Sequence, residues 1–140
     1  MFALDPRLYQ DTLLIGDFSL SRVLLMNDAR YPWVILVPKI TEITEIFQLS
    51  ENDQQQLMIE SNFVAKKLNE LVQADKMNVA ALGNVVSQLH IHHVARFQTD
   101  ESWPKPVWGI GKAITYSQQE SDMVIKQFSA MFRDYLQDGN

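Results

Sequence analysis

The sequence contains no cysteine, which excludes disulfide bonds, thiolate zinc ligands and cysteine nucleophiles and fits a reducing cytoplasm. Basic residues are few, since 12 Lys and Arg stand against 17 Asp and Glu for a net charge of −5. No basic run occurs, so we expect no nucleic-acid partner. The longest aliphatic run, Val34–Val37, is far shorter than the ~20 apolar residues of a membrane helix, so we expect no membrane association. The N-terminus lacks the cationic and apolar segments of a secretory signal, which favours a cytoplasmic location.

Histidine is also scarce, and its few copies are clustered. The 140 residues contain three, at His90, His92 and His93. Alternate side chains of a β-strand share a face, so Gln88, His90 and His92 are predicted to point one way and His93 the other. The Cα atoms of His90 and His92 then lie roughly 6.6 Å apart. Two imidazoles at that spacing can act on one small group, each as nucleophile, acid or base near neutral pH.

The chain has the length of one ordinary domain, and we expect a single domain over residues 1–140. Short apolar runs predict strands over residues 13–17, 21–26, 33–38, 77–82 and 89–97. Helical patterns predict a turn from Asp5, a short helix over Thr41–Leu49, a long helix from the capping residue Ser50 to about Val72, and a helix after Ser117. Strand pairs followed by long helices indicate an α+β fold, an antiparallel sheet with helices packed on one face.

The segment Gln88–Arg96 (QLHIHHVAR) resembles the motif of the histidine triad (HIT) family, in which three histidines alternate with apolar residues. The preceding segment Gly83–Ser87 (GNVVS) resembles the family's lead-in to that motif. Leu25–Asn27, followed by Pro32–Pro38, resembles the family's first hairpin. The resemblance covers residues 20–97 and implies a HIT-like antiparallel sheet, with the C-terminal segment 98–140 outside the motif.

The resemblance implies a nucleotide hydrolase or transferase that acts at the α-phosphate of a nucleoside phosphate derivative and needs no cofactor. The substrate class is a dinucleoside polyphosphate or a nucleoside phosphoramidate. Matched by position, His90 is the nucleophile that forms a nucleotidyl-histidine intermediate, and His92 contacts the phosphate. Asn27 binds the ribose hydroxyls, and Asn84 and Gln88 complete the substrate-binding set. The resemblance also implies a homodimer.

The chain departs from the family pattern at two informative positions. Gln88 stands at the first triad position, where an amide can form hydrogen bonds but cannot titrate, so it is either a substrate contact or only a supporting hydrogen-bonding group. Trp33 stands where family members often have histidine. An alternative function is a nucleotide-binding regulatory or adaptor module with little turnover. A zinc site at His90 and His92 is a further reading. His93 is predicted on the other face, the chain has no Cys, and no Asp or Glu lies at a spacing typical of a third ligand, so we expect no metal.

Three other residues invite a functional interpretation that simpler roles explain. Arg96 is expected to be a solvated or structural charge at the end of its strand. Trp103 and Trp108 are expected to form packing contacts rather than a base-stacking platform.

Overall fold

The computed structural model describes residues 1–138, so the last two residues of the predicted domain lie outside the described part. The elements follow in the order α1 (Pro6–Asp11), β1 (Thr12–Asp17), β2 (Ser21–Met26), β3 (Trp33–Pro38), a 3₁₀ turn (Ile46–Gln48), α2 (Glu51–Val72), β4 (Lys76–Ala81), β5 (Ile91–Arg96) and α3 (Gln118–Met131). The five strands form one antiparallel sheet in the order β1-β2-β3-β5-β4. Among the described residues, no helix is long and apolar enough to cross a bilayer.

Side chains of the central strands alternate between two apolar cores. On one face, Val34 and Leu36 of β3 and Ala95 of β5 pack with Val64 and Leu68 of α2. The helix α3 covers the same face through its buried side chains. This arrangement confirms the predicted α+β fold, with the two long helices on one face of the sheet.

The opposite face is covered by two segments that have little regular structure. Trp33 and Ile35 of β3 and Val94 of β5 point to this side. Leu8 of α1 packs on them from the N-terminal segment, and Val107 packs on them from the irregular chain that connects β5 with α3. This second face is therefore covered by the N-terminal segment and by the connection between β5 and α3, and it carries the candidate site.

The predicted helix over Thr41–Leu49 is wrong, because this segment forms only the 3₁₀ turn Ile46–Gln48. Glu42 has a left-handed backbone conformation, with φ of 58°, which interrupts an α-helix. The carbonyl of Ile43 accepts the amide of Leu89 at 2.9 Å, so it serves the chain that leads into β5 rather than a helix. Tertiary contacts here outweigh the local helical pattern.

The two predicted helix starts are confirmed by their capping bonds. Ser50 Oγ accepts the Asp53 amide at 3.1 Å at the start of α2. At the start of α3, Ser117 Oγ accepts the Glu120 amide while the Glu120 carboxylate accepts the Ser117 amide. These bonds satisfy amide groups that the first helical turn leaves without partners.

Candidate functional site

His90 lies just before β5, and its ring orientation is fixed by a main-chain contact. Its Nδ1 lies 2.7 Å from the carbonyl oxygen of Gln88. A carbonyl can only accept, so in the neutral ring Nδ1 carries the proton and Nε2 keeps a lone pair. The side chain is buried but lines a cavity. His90 is therefore held in the tautomer that a nucleophilic imidazole requires.

His92 is held in the complementary tautomer. The indole Nε1–H of Trp33 donates to His92 Nδ1 at 3.0 Å. Because indole nitrogen can only donate, Nδ1 must be the acceptor and the ring proton must lie on Nε2. Burial, together with the nearby imidazoles of His90 and His93, lowers the pKa of His92 to about 3. His92 is thus a neutral hydrogen-bond donor at pH 7, with its ring 4.8 Å from that of His90.

His93 lies on the other face of β5, as the strand alternation predicts. Its Nδ1 lies 3.1 Å from the carbonyl of Val34, and its Nε2 lies 2.8 Å from Ser61 Oγ of α2. The side chain has no solvent exposure, and burial lowers its pKa to about 4. Both ring nitrogens are occupied by structural partners. Because His93 lies on the face of β5 that α2 covers, the sheet separates it from the site.

The cavity beside His90 and His92 has a volume of about 350 Å³. Its wall includes Asn84, for which the family resemblance implies a substrate-binding role, and also Arg7 and Trp108. The Trp108 ring lies 5.0 Å from that of His92, so the expected packing role is confirmed and the residue also shapes the site. Sequence reasoning missed Arg7, because nothing in the local pattern of an N-terminal helix indicates a contact with residues near position 85.

Gln88 does not line this cavity. Its Oε1 accepts the Asp5 amide at 2.9 Å, and its Nε2 donates to the Ala3 carbonyl at 2.9 Å. Both polar groups of the side chain are therefore engaged with the N-terminal segment. The structure shows the supporting hydrogen-bonding arrangement, one of the two alternatives for this residue, while the Gln88 carbonyl still orients His90.

Asn27 lines a second cavity of about 370 Å³ that adjoins the first. The two cavities share Asp11, Met26 and Trp108 as wall residues. Asn27 Oδ1 accepts the Tyr116 amide at 2.9 Å, so it also holds the chain before α3 in place. The two adjoining cavities, together termed the groove, have the imidazoles in one half and Asn27 in the other.

Arg96 is fully buried. Of the two roles expected for it, a solvated charge or a structural charge, the structure shows the structural one. Its guanidinium forms hydrogen bonds with Asp100, Asn78 and Ser102 at 2.8–3.2 Å. The Trp103 ring lies 5.6 Å from the guanidinium, a cation–π contact away from the cavity. In the described part of the chain, no group of three His, Cys, Asp or Glu side chains is arranged to hold a metal ion.

Comparisons with known proteins agree with this geometry. The family profile described as HIT domain matches residues 7–99. A histidine triad protein from Marinobacter aquaeolei VT8 is 44% identical, with a TM-score of 0.94 over 96% of this chain and 98% of that chain. A histidine triad (HIT) protein from Sinorhizobium meliloti 1021 is also 44% identical, with a TM-score of 0.88 over 97% and 98%.

A histidine triad protein from Bradyrhizobium japonicum is 41% identical, with a TM-score of 0.87 over 97% of this chain and 98% of that chain. A comparison with curated proteins finds no match. The family match and the similarity over nearly the whole chain show that this protein belongs to the HIT family, whose members are in general nucleotide-binding hydrolases or transferases.

Proposed function

We propose that the protein is a nucleotide hydrolase or transferase that acts at the α-phosphate of a nucleoside phosphate derivative through a covalent intermediate on His90. The observation that carries the proposal is the pair of opposite tautomers. His90 presents a lone pair on Nε2, while His92 presents a proton on Nε2. One ring is prepared to attack phosphorus, and its neighbour is prepared to donate to a phosphate oxygen.

In the first step, the lone pair of His90 Nε2 forms a bond to the α-phosphorus. The bond from phosphorus to the leaving group breaks, and its electron pair departs with that group. The imidazole then carries a positive charge, which the Gln88 carbonyl stabilises through Nδ1–H. His92 Nε2–H donates to a non-bridging phosphate oxygen, where negative charge must be held during the displacement.

In the second step, an acceptor attacks the same phosphorus. With water as the acceptor, a P–O bond forms, the P–N bond breaks, and its electron pair returns to His90 Nε2. The proton of water passes to solvent, and a nucleoside monophosphate is released. With another hydroxyl acceptor, the same sequence is a nucleotidyl transfer.

The adjoining cavity supports a location for the nucleoside. A nucleotide whose α-phosphate lies at His90 can extend past Met26 and Trp108 into the half of the groove that Asn27 lines. We assign Asn27 to a ribose hydroxyl, through its amide nitrogen, since its Oδ1 is already bonded to Tyr116. We assign Asn84 to the phosphate end, because it lines the cavity of the imidazoles.

A nucleotide-binding module with little turnover is the second candidate, and one observation favours it. The group at the first triad position is an amide that is turned toward Ala3 and Asp5, so it supplies no proton to a leaving group. The same groove then binds a nucleotide but cleaves it slowly. Such a protein is stabilised by the nucleotide in a melting experiment without consuming it.

Replacement of the nucleophile tests the proposal. We expect His90→Ala to lower kcat by about a thousandfold or more, since the covalent route is lost. Quenching of the wild-type protein and a labelled substrate at alkaline pH, where the acid-labile P–N bond survives, should trap label on the protein, and the variant should trap none. The variant's melting temperature serves as the control for folding. If His90→Ala keeps more than about a tenth of the wild-type rate, covalent catalysis at His90 is wrong.

We further propose a single domain, a cytoplasmic location and a homodimer. The helix α3 joins the same apolar core as α2, which supports one folding unit. The absence of cysteine fits the cytoplasm. The strand β4 lies at an edge of the sheet, with Val79 half exposed, and open edges favour pairing with a second copy. Light scattering of the purified protein measures the oligomeric state directly.

A further inference from the structure

The cavity of His90 and His92 contains one permanent positive charge, and it comes from Arg7. Among the described residues, no other Lys or Arg lines this cavity, whose wall also holds one carboxylate, that of Asp11. His92 is neutral, since burial lowers its pKa to about 3. A substrate with a chain of phosphates brings several negative charges into this space. Arg7 is the residue able to offset them with a fixed charge.

The position of Arg7 is set by a series of contacts with the loop before β5. Arg7 Nη1 donates to the Val85 carbonyl at 2.8 Å. The Arg7 amide donates to the Asp5 carboxylate at 2.8 Å, which caps α1. The Asp5 amide is in turn held by Gln88 Oε1, and Gln88 Nε2 holds the Ala3 carbonyl. The side chain at the first triad position thus fastens the N-terminal segment that carries Arg7 to the cavity wall.

The guanidinium retains donors after this contact. It has five N–H groups, and the bond to Val85 uses one of them. Planar guanidinium groups bind phosphate oxygens in pairs, which an isolated ammonium cannot do. Arg7 is therefore able to bind an anionic ligand that lies beside Val85 with its remaining N–H groups.

The same cavity provides poorly for a leaving group that needs a proton. An amine must be protonated as it departs, whereas a phosphate chain can leave as an anion. Gln88 does not titrate and faces the N-terminal segment, and His92 stays neutral at pH 7. The positive charge of Arg7 and the poor proton supply for a departing amine thus both favour a substrate whose leaving group is an anionic phosphate chain.

We propose that Arg7 is a specificity-determining residue that binds the anionic leaving group, and that Gln88 is the positioning residue that holds Arg7 in place. The inference rests on the proposed reaction at His90 and adds which leaving group the site selects. Under this assignment, the side chain of Gln88 at the first triad position holds the N-terminal segment in place, a task that does not require a titrating group.

The test compares two substrates that share one nucleoside. Adenosine 5′-phosphoramidate has a small amine as leaving group, and diadenosine tetraphosphate has an anionic one. We expect Arg7→Gln to lower the ratio of kcat/KM for the tetraphosphate to that for the phosphoramidate by about tenfold or more. Arg7→Lys should recover part of the ratio. Arg133→Gln, which removes an exposed arginine beyond α3, is the matched control and should keep the wild-type ratio.

A double-mutant cycle tests the role of Gln88. Gln88→Leu should lower the ratio in the wild-type background and have little further effect when Arg7→Gln is present, because the arginine it positions is already gone. Independent effects of the two changes on the ratio overturn the positioning role. An Arg7→Gln variant that slows both substrates equally overturns the specificity role.

A binding measurement separates failure of this inference from failure of the proposed reaction. If the wild-type protein cleaves neither substrate, the reaction at His90 is wrong, and calorimetry with pyrophosphate then decides the role of Arg7. We expect Arg7→Gln to weaken pyrophosphate binding by about tenfold. Equal affinity of the variant and the wild-type protein overturns the assignment of Arg7.

Discussion

The hydrogen bond from Trp33 to His92 predicts a specific effect of Trp33→Phe. The substitution keeps an aromatic ring between Tyr31 and Trp108 but removes the indole N–H that fixes the imidazole proton on Nε2. His92 is then free to place its proton on Nδ1, in which case Nε2 no longer donates to a phosphate. We expect lower stability and lower turnover, for different reasons.

The stability loss follows from burial. His92 is almost completely buried, so removing the partner of its Nδ1 costs about 1–3 kcal/mol. The smaller ring leaves space that costs about 1 kcal/mol more if it stays empty. For a chain of this size, the sum of about 2–4 kcal/mol lowers Tm by roughly 6–15 °C.

The turnover loss is expected to be smaller than that of His92→Ala. A net hydrogen bond of about 0.5–1.5 kcal/mol biases the two tautomers by roughly two- to twelvefold, so its loss lowers the competent fraction by no more than that factor. Removing the donor altogether, as in His92→Ala, costs about 10- to 100-fold, because the bond goes to a charged phosphate. The sharper prediction is therefore that His92→Ala lowers turnover more than Trp33→Phe does.

Long-range ¹H–¹⁵N spectra of the imidazoles provide the assay. In the wild-type protein, Nδ1 of His92 should have the shift of an unprotonated nitrogen and Nε2 that of a protonated one. In Trp33→Phe, both shifts should move toward intermediate values, and Trp33→His, which can donate again, should restore them in part. Trp103→Phe is the matched control, since that indole lies against Arg96 and away from the cavity. A protonated Nδ1 on His92 in the wild-type protein would refute the reasoning.

Two further substitutions test the role assigned to Asn27 in the groove and the assignment of His93 to the opposite face of β5. Asn27→Ala should weaken nucleoside monophosphate binding by about 2- to 12-fold, the equivalent of one neutral hydrogen bond, and unchanged affinity by calorimetry would remove Asn27 from the site. His93→Val should leave turnover near that of the wild-type protein, and the reverse outcome, loss of activity in His93→Val but not in His92→Ala, would show that our assignment of faces is wrong. Because burial lowers the pKa of His93 to about 4, its protonation disfavours the folded state, so the stability it supports is full above pH ~6.5 and falls as the pH decreases toward 4. His93→Val should flatten that part of the stability curve in urea titrations at several pH values.

The parts of the fold that follow local patterns were predictable from the sequence. Strand alternation alone places His92 and His93 on opposite faces, and the capping residues Ser50 and Ser117 mark the starts of the long helices. These features depend on side chains within a few residues of each other. A period-two or period-3.6 pattern therefore carries the information.

The features that sequence reasoning missed depend on contacts between distant segments. The helix predicted over Thr41–Leu49 is absent because the Ile43 carbonyl bonds to the Leu89 amide, a partner 46 positions along the chain. For Arg96, the sequence left a solvated and a structural charge both open. It is buried because the nearby Asp100 carboxylate pairs with its charge and Asn78 Oδ1, 18 positions back in β4, accepts a further bond, whereas a lone arginine at a strand end is usually solvated. The contacts of Gln88 and Arg7 have no local signal either, since their partners lie 78–85 positions away.

Those long-range bonds also bear on the order in which the protein assembles. The cavity wall that Arg7 completes closes a loop of about 80 residues and depends on a few hydrogen bonds near the surface. By contrast, β5 pairs with β4 over its whole length and with β3 over Ile91–Val94. Segments held by a few hydrogen bonds near the surface open without global unfolding, and non-local contacts of this kind form late. The Asp5 amide should therefore exchange its hydrogen with solvent well before the amides of β5. The N-terminal wall of the cavity is thus expected to be less protected from hydrogen exchange than the sheet on which it packs.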